Sequence, residues 1–184
     1  MTTGDGMRAW MVLRRLGDYE AAWRAHAAAP AALEPGPFPI RIQGAGDLKA
    51  ARFDLLAWAD PRAGDGPASP FWVQDGMAEA AVAPGVAPLA AVVAEGGGSI
   101  EGLRLLDGAL VLKIECGAAA LQLRVRGAGP FPDAAGIELR HPFGLGMPQT
   151  VRRLIDFWSV AGRAVPPETA GPDPRGLRAG TCSR

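Results

Sequence analysis

The 184 residues leave room for one domain, and a composition of 48% hydrophobic and 21% charged residues predicts a globular protein with a buried core. With 19 basic and 19 acidic residues the formal net charge is zero, which excludes a globally basic nucleic-acid binder but not a local basic patch. No apolar run approaches the roughly 18 residues of a membrane-spanning helix, and the first ten residues lack the pattern of a signal peptide. We therefore expect a cytoplasmic protein without membrane contact.

Two helices are predicted at the N-terminus, as a helical pair over residues 7–29. The first covers residues 7–16 and ends before Gly17, where a left-handed C-terminal cap is expected. Asp18 is a suitable N-cap for the second helix, which Pro30 ends. The pair has the outline of a helix–turn–helix, but the pattern favours core packing over nucleic-acid reading.

The middle of the chain alternates between loops and short apolar segments. Asp47 is expected to cap a helix over residues 48–59, and residues 61–70 form a turn-rich surface connector. Residues 71–73 predict a short buried strand, and a second apolar stretch covers residues 89–94.

Residues 99–140 are predicted to form an antiparallel meander of three or four strands. Asp107-Gly108 predicts a two-residue hairpin turn. Polar and apolar residues alternate on either side of it, which is typical of strands with one solvated face. The alternating runs are residues 109–115, 121–126 and 137–140.

A last helix is predicted over residues 148–161, where an apolar stripe would cover the apolar face of the sheet. Residues 164–184 are rich in proline and glycine and predict a disordered tail. The predicted fold is α+β, with a single domain over residues 1–163. Its expected core consists of Trp10, Leu13, Trp23, Trp58, Phe71, Trp72, Leu110, Leu112, Ile114, Leu121, Leu123, Val125, Leu154 and Trp158.

The sequence offers few groups for catalysis, cofactor binding or metal binding. It contains no glycine-rich phosphate loop and no Gly-x-Ser-x-Gly elbow. His26, His141, Cys116 and Cys182 show no metal-ligand spacing. We therefore predict no catalytic residue, no cofactor and no metal.

Two arginine pairs are the candidate contacts for phosphate or DNA. Arg14, Arg15, Arg152 and Arg153 carry guanidinium groups, which fit a phosphate in a bidentate manner. Ordinary solvated surfaces would account for the same pairs.

Arginines also alternate along the predicted sheet. Arg124 and Arg126 are expected on its solvated face beside Lys113. Glu101 and Glu115 are expected to pair with them across the strands.

Short motifs in a fixed order carry a resemblance to a known family. They are Ala9-Trp10 with Leu13-Arg14-Arg15, Tyr19 and Trp23, then Trp58, Asp60-Pro61, Phe71-Trp72, the turn Leu106-Asp107-Gly108 and Arg153-Leu154 with Phe157-Trp158. Over residues 8–163 their order and spacing resemble a proteobacterial family of transcriptional regulator-like proteins. The resemblance implies DNA-linked regulation and an association with mobile genetic elements.

Members of that family usually end in a helix-turn-helix half. Residues 172–179 resemble the approach to it, and the sequence then stops before a recognition helix. The resemblance thus implies one of two origins. The chain is the amino-terminal part of a split regulator, completed by a partner or by a frameshift near residue 178, or it is the product of a degraded gene.

The function expected from the resemblance is that of a non-enzymatic transcriptional regulator-like protein. Its partners would be DNA, bound directly or through another protein, and another regulator subunit or a second copy. The alternative is an interaction module or anti-regulator that binds a related factor without touching DNA. A small-molecule sensor ranks third and an enzyme last. An apolar pocket with convergent polar groups would favour the sensor, and an exposed apolar patch would favour partner binding.

Overall fold

The computed structural model describes residues 3–27, 32–63, 70–74, 77–116, 119–126 and 129–140. Three α-helices and one 3-10 helix are found there: α1 (Thr3–Leu13), α2 (Gly17–His26), the 3-10 helix (Ala45–Phe53) and α3 (Leu89–Glu95). The strands are β1 (Leu33–Glu34), β2 (Ile40–Ile42), β3 (Ala78–Ala83), β4 (Ser99–Arg104), β5 (Leu110–Cys116), β6 (Ala119–Arg126) and β7 (Gly136–Arg140). The predicted helix over residues 148–161 and the predicted tail over residues 164–184 lie outside the described residues.

The seven strands form one mixed sheet in the order β1-β2-β4-β5-β6-β3-β7. The predicted α+β fold built on an antiparallel meander is therefore wrong. Of the predicted meander, β4, β5 and β6 follow one another as antiparallel neighbours, while β2 lies parallel to β4 and β3 lies parallel to β6. β7 pairs with β3 instead of β6. The strand β3 escapes prediction because its sequence, AEAAVA, is rich in a strong helix former and contains only one β-branched residue.

Both faces of the central strands are covered, so the expectation of one solvated face is also wrong. The alternating residues Leu110, Leu112 and Ile114 pack against α3 and two aromatic residues of the loops. Val111 and Lys113, on the other face, are only 1% and 3% exposed. Val111 is buried because it packs with Ala57 and Phe71, and the ammonium group of Lys113 lies beside the Phe71 ring.

The predicted core is largely confirmed where it is described. Leu13 and Trp23 are half-buried, and Leu154 and Trp158 lie outside the described residues. The buried members are Trp10, Trp58, Phe71, Trp72, Leu110, Leu112, Ile114, Leu121, Leu123 and Val125.

The helical pair is built around Tyr19. Its ring makes edge-to-face contacts with Trp10 and Phe53, with centroids 5.7 and 5.1 Å apart, and a tilted contact with Trp58 at 5.7 Å. The predicted boundary between the helices is wrong, because α2 begins at Gly17 and the extended residue before it is the N-cap. Neither a left-handed Gly17 nor an Asp18 cap is observed.

The third predicted helix is shorter and tighter than expected. A 3-10 helix ends at Phe53, and Asp54 follows in the left-handed region with φ of 59°. Gly44 is the N-cap residue, and Asp47 lies at the third position of the helix, from which its side chain reaches back to the N-cap. Its carboxylate accepts the backbone N–H groups of Gly44 and Trp58, each at 2.8 Å, so it ties the helix to the chain that follows.

Asp54 gives the first testable prediction. A left-handed conformation costs an L-residue about 1 kcal/mol, which glycine does not incur. Asp54→Gly is therefore expected to raise the free energy of unfolding by about 0.5–1 kcal/mol in urea titrations. The control Ala51→Gly, inside the 3-10 helix, should lower it by a similar amount. A fall in stability for Asp54→Gly would refute this interpretation of the turn.

The β4–β5 hairpin forms at Asp107-Gly108, but its turn is longer than the predicted two residues. Gly108 has φ of 84° and donates its N–H to Leu105 O at 2.9 Å.

The apolar stretch at residues 89–94 forms α3. Residues 71–73 form an isolated β-bridge between Trp72 and Leu55 instead of the predicted strand.

Candidate functional site

Two of the four predicted phosphate-binding arginines, Arg14 and Arg15, lie in the described residues. Arg14 is half-buried and donates its Nε to Pro61 O at 3.1 Å, so its guanidinium helps to hold the helical layer together. Arg15 is exposed. Arg152 and Arg153 lie outside the described residues.

The other arginines near the sheet also have acidic partners. Arg124 pairs with Asp107, and Arg126 pairs with Glu79. The predicted partners Glu101 and Glu115 instead contact the buried Lys113, at 3.1 and 3.9 Å. Arg124 and Arg126 are therefore accessible to solvent as expected, whereas Lys113 is buried.

A cleft of about 210 Å³ lies at the β1 side of the sheet, and sequence reasoning missed it. Its floor includes Arg41, Glu101 and Lys113, which belong to β2, β4 and β5. The opposite wall is formed by residues 57–60 and 70–71. These groups come from distant parts of the chain, so local spacing gives no sign that they meet.

The charged groups of the cleft differ in accessibility. The Lys113 side chain is 3% exposed, and its ammonium lies 5.0 Å from the centroid of the Phe71 ring. The Glu101 side chain is 46% exposed, and Asp60, on the opposite wall, is 48% exposed. The two carboxylates therefore meet solvent while the lysine lies beneath them.

Arg41 of β2 links the floor of the cleft to the wall formed by residues 57–60 through hydrogen bonds. One terminal nitrogen donates to Trp58 O at 2.8 Å and the other to Asp47 at 3.0 Å. Among the described residues, two buried side-chain donors lack a protein acceptor, namely Arg41 Nε and Trp72 Nε1. The guanidinium therefore keeps some hydrogen-bonding capacity beside the cleft.

The wall of the cleft is also held by Tyr19 of α2. Its hydroxyl donates to Ala59 O at 2.8 Å and lies 3.2 Å from Ala59 N, which donates to it. Burial raises the pKa of Tyr19 to about 12, although the hydrogen bond to Ala59 acts in the opposite direction. The phenol is therefore neutral near pH 7 and serves as a structural donor.

The outer face of α1 is the second candidate site. Met7, Met11 and Val12 are exposed along α1, and Leu16 follows them just past the helix end. They are 39%, 45%, 64% and 47% exposed. Four neighbouring apolar side chains exposed on one short segment are typical of an interaction surface.

Membrane and metal roles gain no support from the described residues. Within that part of the chain, none of the helices combines the length and apolar character needed to cross a bilayer. Nor do three or more His, Cys, Asp or Glu side chains there gather in a way that could hold a metal ion.

Comparison with known proteins leaves the family open. The sequence matches no protein-family model and no curated protein. The resemblance to transcriptional regulator-like proteins therefore stays a prediction.

Proposed function

We propose that this chain is a non-enzymatic, cytoplasmic regulatory module of the transcriptional regulator-like kind, which acts through contact with a partner protein. The observation that carries the proposal is the outer face of α1, defined by Met7, Met11, Val12 and Leu16. Covering these side chains would remove apolar area from water, at about 25 cal/mol per Å². An apolar surface of this kind favours a protein partner over the phosphate backbone of DNA, which binds through cations.

The charges around this face indicate the chemistry of the partner. Residues 6–17 contain three arginines and no carboxylate. Arg8 and Arg15 are exposed beside the apolar side chains, whereas Arg14 is turned toward Pro61. The complementary surface is an amphipathic helix with an apolar stripe and an acidic rim.

A second copy of the chain fits this face less well than such a partner. Two copies joined through α1 would bring the exposed Arg8 and Arg15 of both into one interface, and like charges there are unfavourable. Direct DNA binding also finds little support, because Arg14, Arg124 and Arg126 already have partners within the chain. The regulatory contact is therefore assigned to an acidic helix of another protein.

Photo-crosslinking in the host cell tests the proposal. A benzoylphenylalanine replaces Val12 in the full chain, and the matched control replaces Val86, an apolar residue that is 47% exposed in the loop between β3 and α3. Val12 is expected to give a protein adduct with an acidic helical segment, while Val86 gives none. Adding Arg8→Glu and Arg15→Glu should abolish the Val12 adduct. An absent adduct, an equal adduct at Val86, or an adduct that survives the charge reversal would overturn the proposal.

A further inference from the structure

We propose that the cleft between β1, β2, β4 and residues 57–60 and 70–71 binds a small zwitterion with an apolar side chain, of the α-amino acid class. This inference does not depend on the role of α1. It rests on three properties of the cleft: its size, its balanced charges and its apolar walls.

The size of the cleft suits a small metabolite. A volume of about 210 Å³ equals that of about seven water molecules in the liquid, and it lies below the roughly 300 Å³ at which pockets begin to hold drug-sized ligands. An aliphatic amino acid is of this order of size, whereas a nucleotide is too large.

The charges of the cleft are balanced and of both signs. Arg41 and Lys113 supply two positive charges, and Asp60 and Glu101 supply two negative charges. Glu101 pairs with Lys113, Asp60 with Arg62 and Arg41 with Asp47, so the charges of the cleft already cancel. A ligand with a single charge would disturb this balance, whereas a zwitterion keeps it. The two carboxylates are accessible at about half their surface, so they would receive the ammonium group of the ligand.

The ligand carboxylate would be directed toward the cations of the floor. The unmatched Nε of Arg41 is a donor beside the cleft, and small side-chain movements would bring the guanidinium to an entering carboxylate. Lys113 adds a positive charge under the floor and is held in place by Glu101. The carboxylate end of the ligand is thus directed toward Arg41, and its ammonium end toward the accessible carboxylates of Glu101 and Asp60.

The apolar side chain of the ligand would meet aliphatic and aromatic surface. Leu33, Pro39 and Pro70 line the cleft together with Phe71. Branched aliphatic side chains fit such walls without adding a polar group that would need a partner.

Ligand binding to the full chain is tested with three matched probes. Leucine carries both charges, 3-methylbutylamine lacks the carboxylate, and 4-methylpentanoate lacks the amine. Leucine is expected to raise the melting temperature by about 5 °C at saturation, and each single-charge probe is expected to bind at least tenfold more weakly in calorimetry. The proposal is overturned if leucine gives no shift at 10-fold the concentrations typical of metabolite sites, about 10 mM, or if a single-charge probe binds as tightly.

A pair of variants locates the binding in the cleft. Glu101→Gln removes the accessible carboxylate but leaves an acceptor for Lys113, and it should weaken leucine binding at least tenfold. Glu115→Gln is the control, because Glu115 also contacts Lys113 but does not line the cleft. It should leave the affinity unchanged. Equal losses in the two variants, or no loss in either, would place the ligand elsewhere and refute the assignment.

Discussion

Replacing Arg104 by methionine is expected to lower the free energy of unfolding by about 3–5 kcal/mol, the largest effect of any single change considered for this protein. Arg104 is 9% exposed and donates to both oxygens of Glu34, at 2.7 and 2.9 Å. It also donates to the carbonyl oxygens of Gly108 and Gly129, at 3.0 and 2.9 Å. Its loss leaves a poorly exposed carboxylate without a partner and two carbonyl groups without their donor.

A double-mutant cycle separates this charge effect from packing. Arg104→Met combined with Glu34→Met should cost less than Arg104→Met alone, because no uncompensated charge remains. Urea unfolding of the four proteins measures the coupling. If the double variant loses as much free energy of unfolding as the two single variants together, Arg104 and Glu34 are not coupled, and this account of the ion pair is wrong.

The same pair predicts a pH dependence. The hydrogen bonds from Arg104 are the main reason that the pKa of Glu34 lies below its usual value, and burial acts in the opposite direction. This stabilisation is complete above the unfolded-state pKa of about 4.3 and is lost as the pH falls through the lowered folded-state pKa. The stability difference between wild type and Arg104→Met should therefore shrink below about pH 4. A difference that stays constant down to pH 2 would contradict this origin.

Gln122→Met is expected to cost about 2–4 kcal/mol. The buried amide of Gln122 accepts the N–H of Trp72 and donates to its C=O, both at 2.9 Å, and thereby attaches residues 71–73 to β6. Methionine has a similar length but leaves two buried backbone groups without partners, each at about 1–2 kcal/mol, in the lower part of the range for such groups. Denaturant unfolding gives the loss, and hydrogen exchange of the Trp72 amide should accelerate with it.

Arg124→Met is the matched control, since it lies two residues further along the same strand and makes an exposed ion pair with Asp107. It should change stability by less than about 1 kcal/mol. If Gln122→Met falls within that range, the amide bridge does not anchor this segment.

Much of the secondary structure was predictable because its causes are local. The alternation of polar and apolar residues predicts the strands β5 and β6. Gly108 predicts the hairpin turn, because glycine readily adopts a positive φ. The arrangement of the sheet was not predictable, because the insertion of β3 between β6 and β7 depends on contacts between distant segments. Lys113 illustrates the difference: its position suggested a solvated face, but the layer that buries it comes from elsewhere in the chain.

For the candidate sites, too, local sequence patterns were predictable and contacts between distant segments were not. The exposed residues of α1 were predicted within a helix, but only the packing of Trp10 against Tyr19 determines which face stays outside. Arg14 looked like a phosphate contact because two arginines stand together, yet Pro61, which lies 47 residues away, accepts its hydrogen bond. The cleft depends on four charged residues from separate segments, and no motif joins them.

The most direct test of the central claim, that this module acts through a protein partner instead of DNA, is the affinity of the purified full chain for random duplex DNA between 50 and 200 mM salt. Fluorescence anisotropy gives the dissociation constant at each salt concentration. The account predicts no appreciable binding at 50 mM salt, and no change in Arg15→Gln. An affinity that falls about a thousandfold over this range, as expected for a protein that neutralises six or more phosphates, would contradict it.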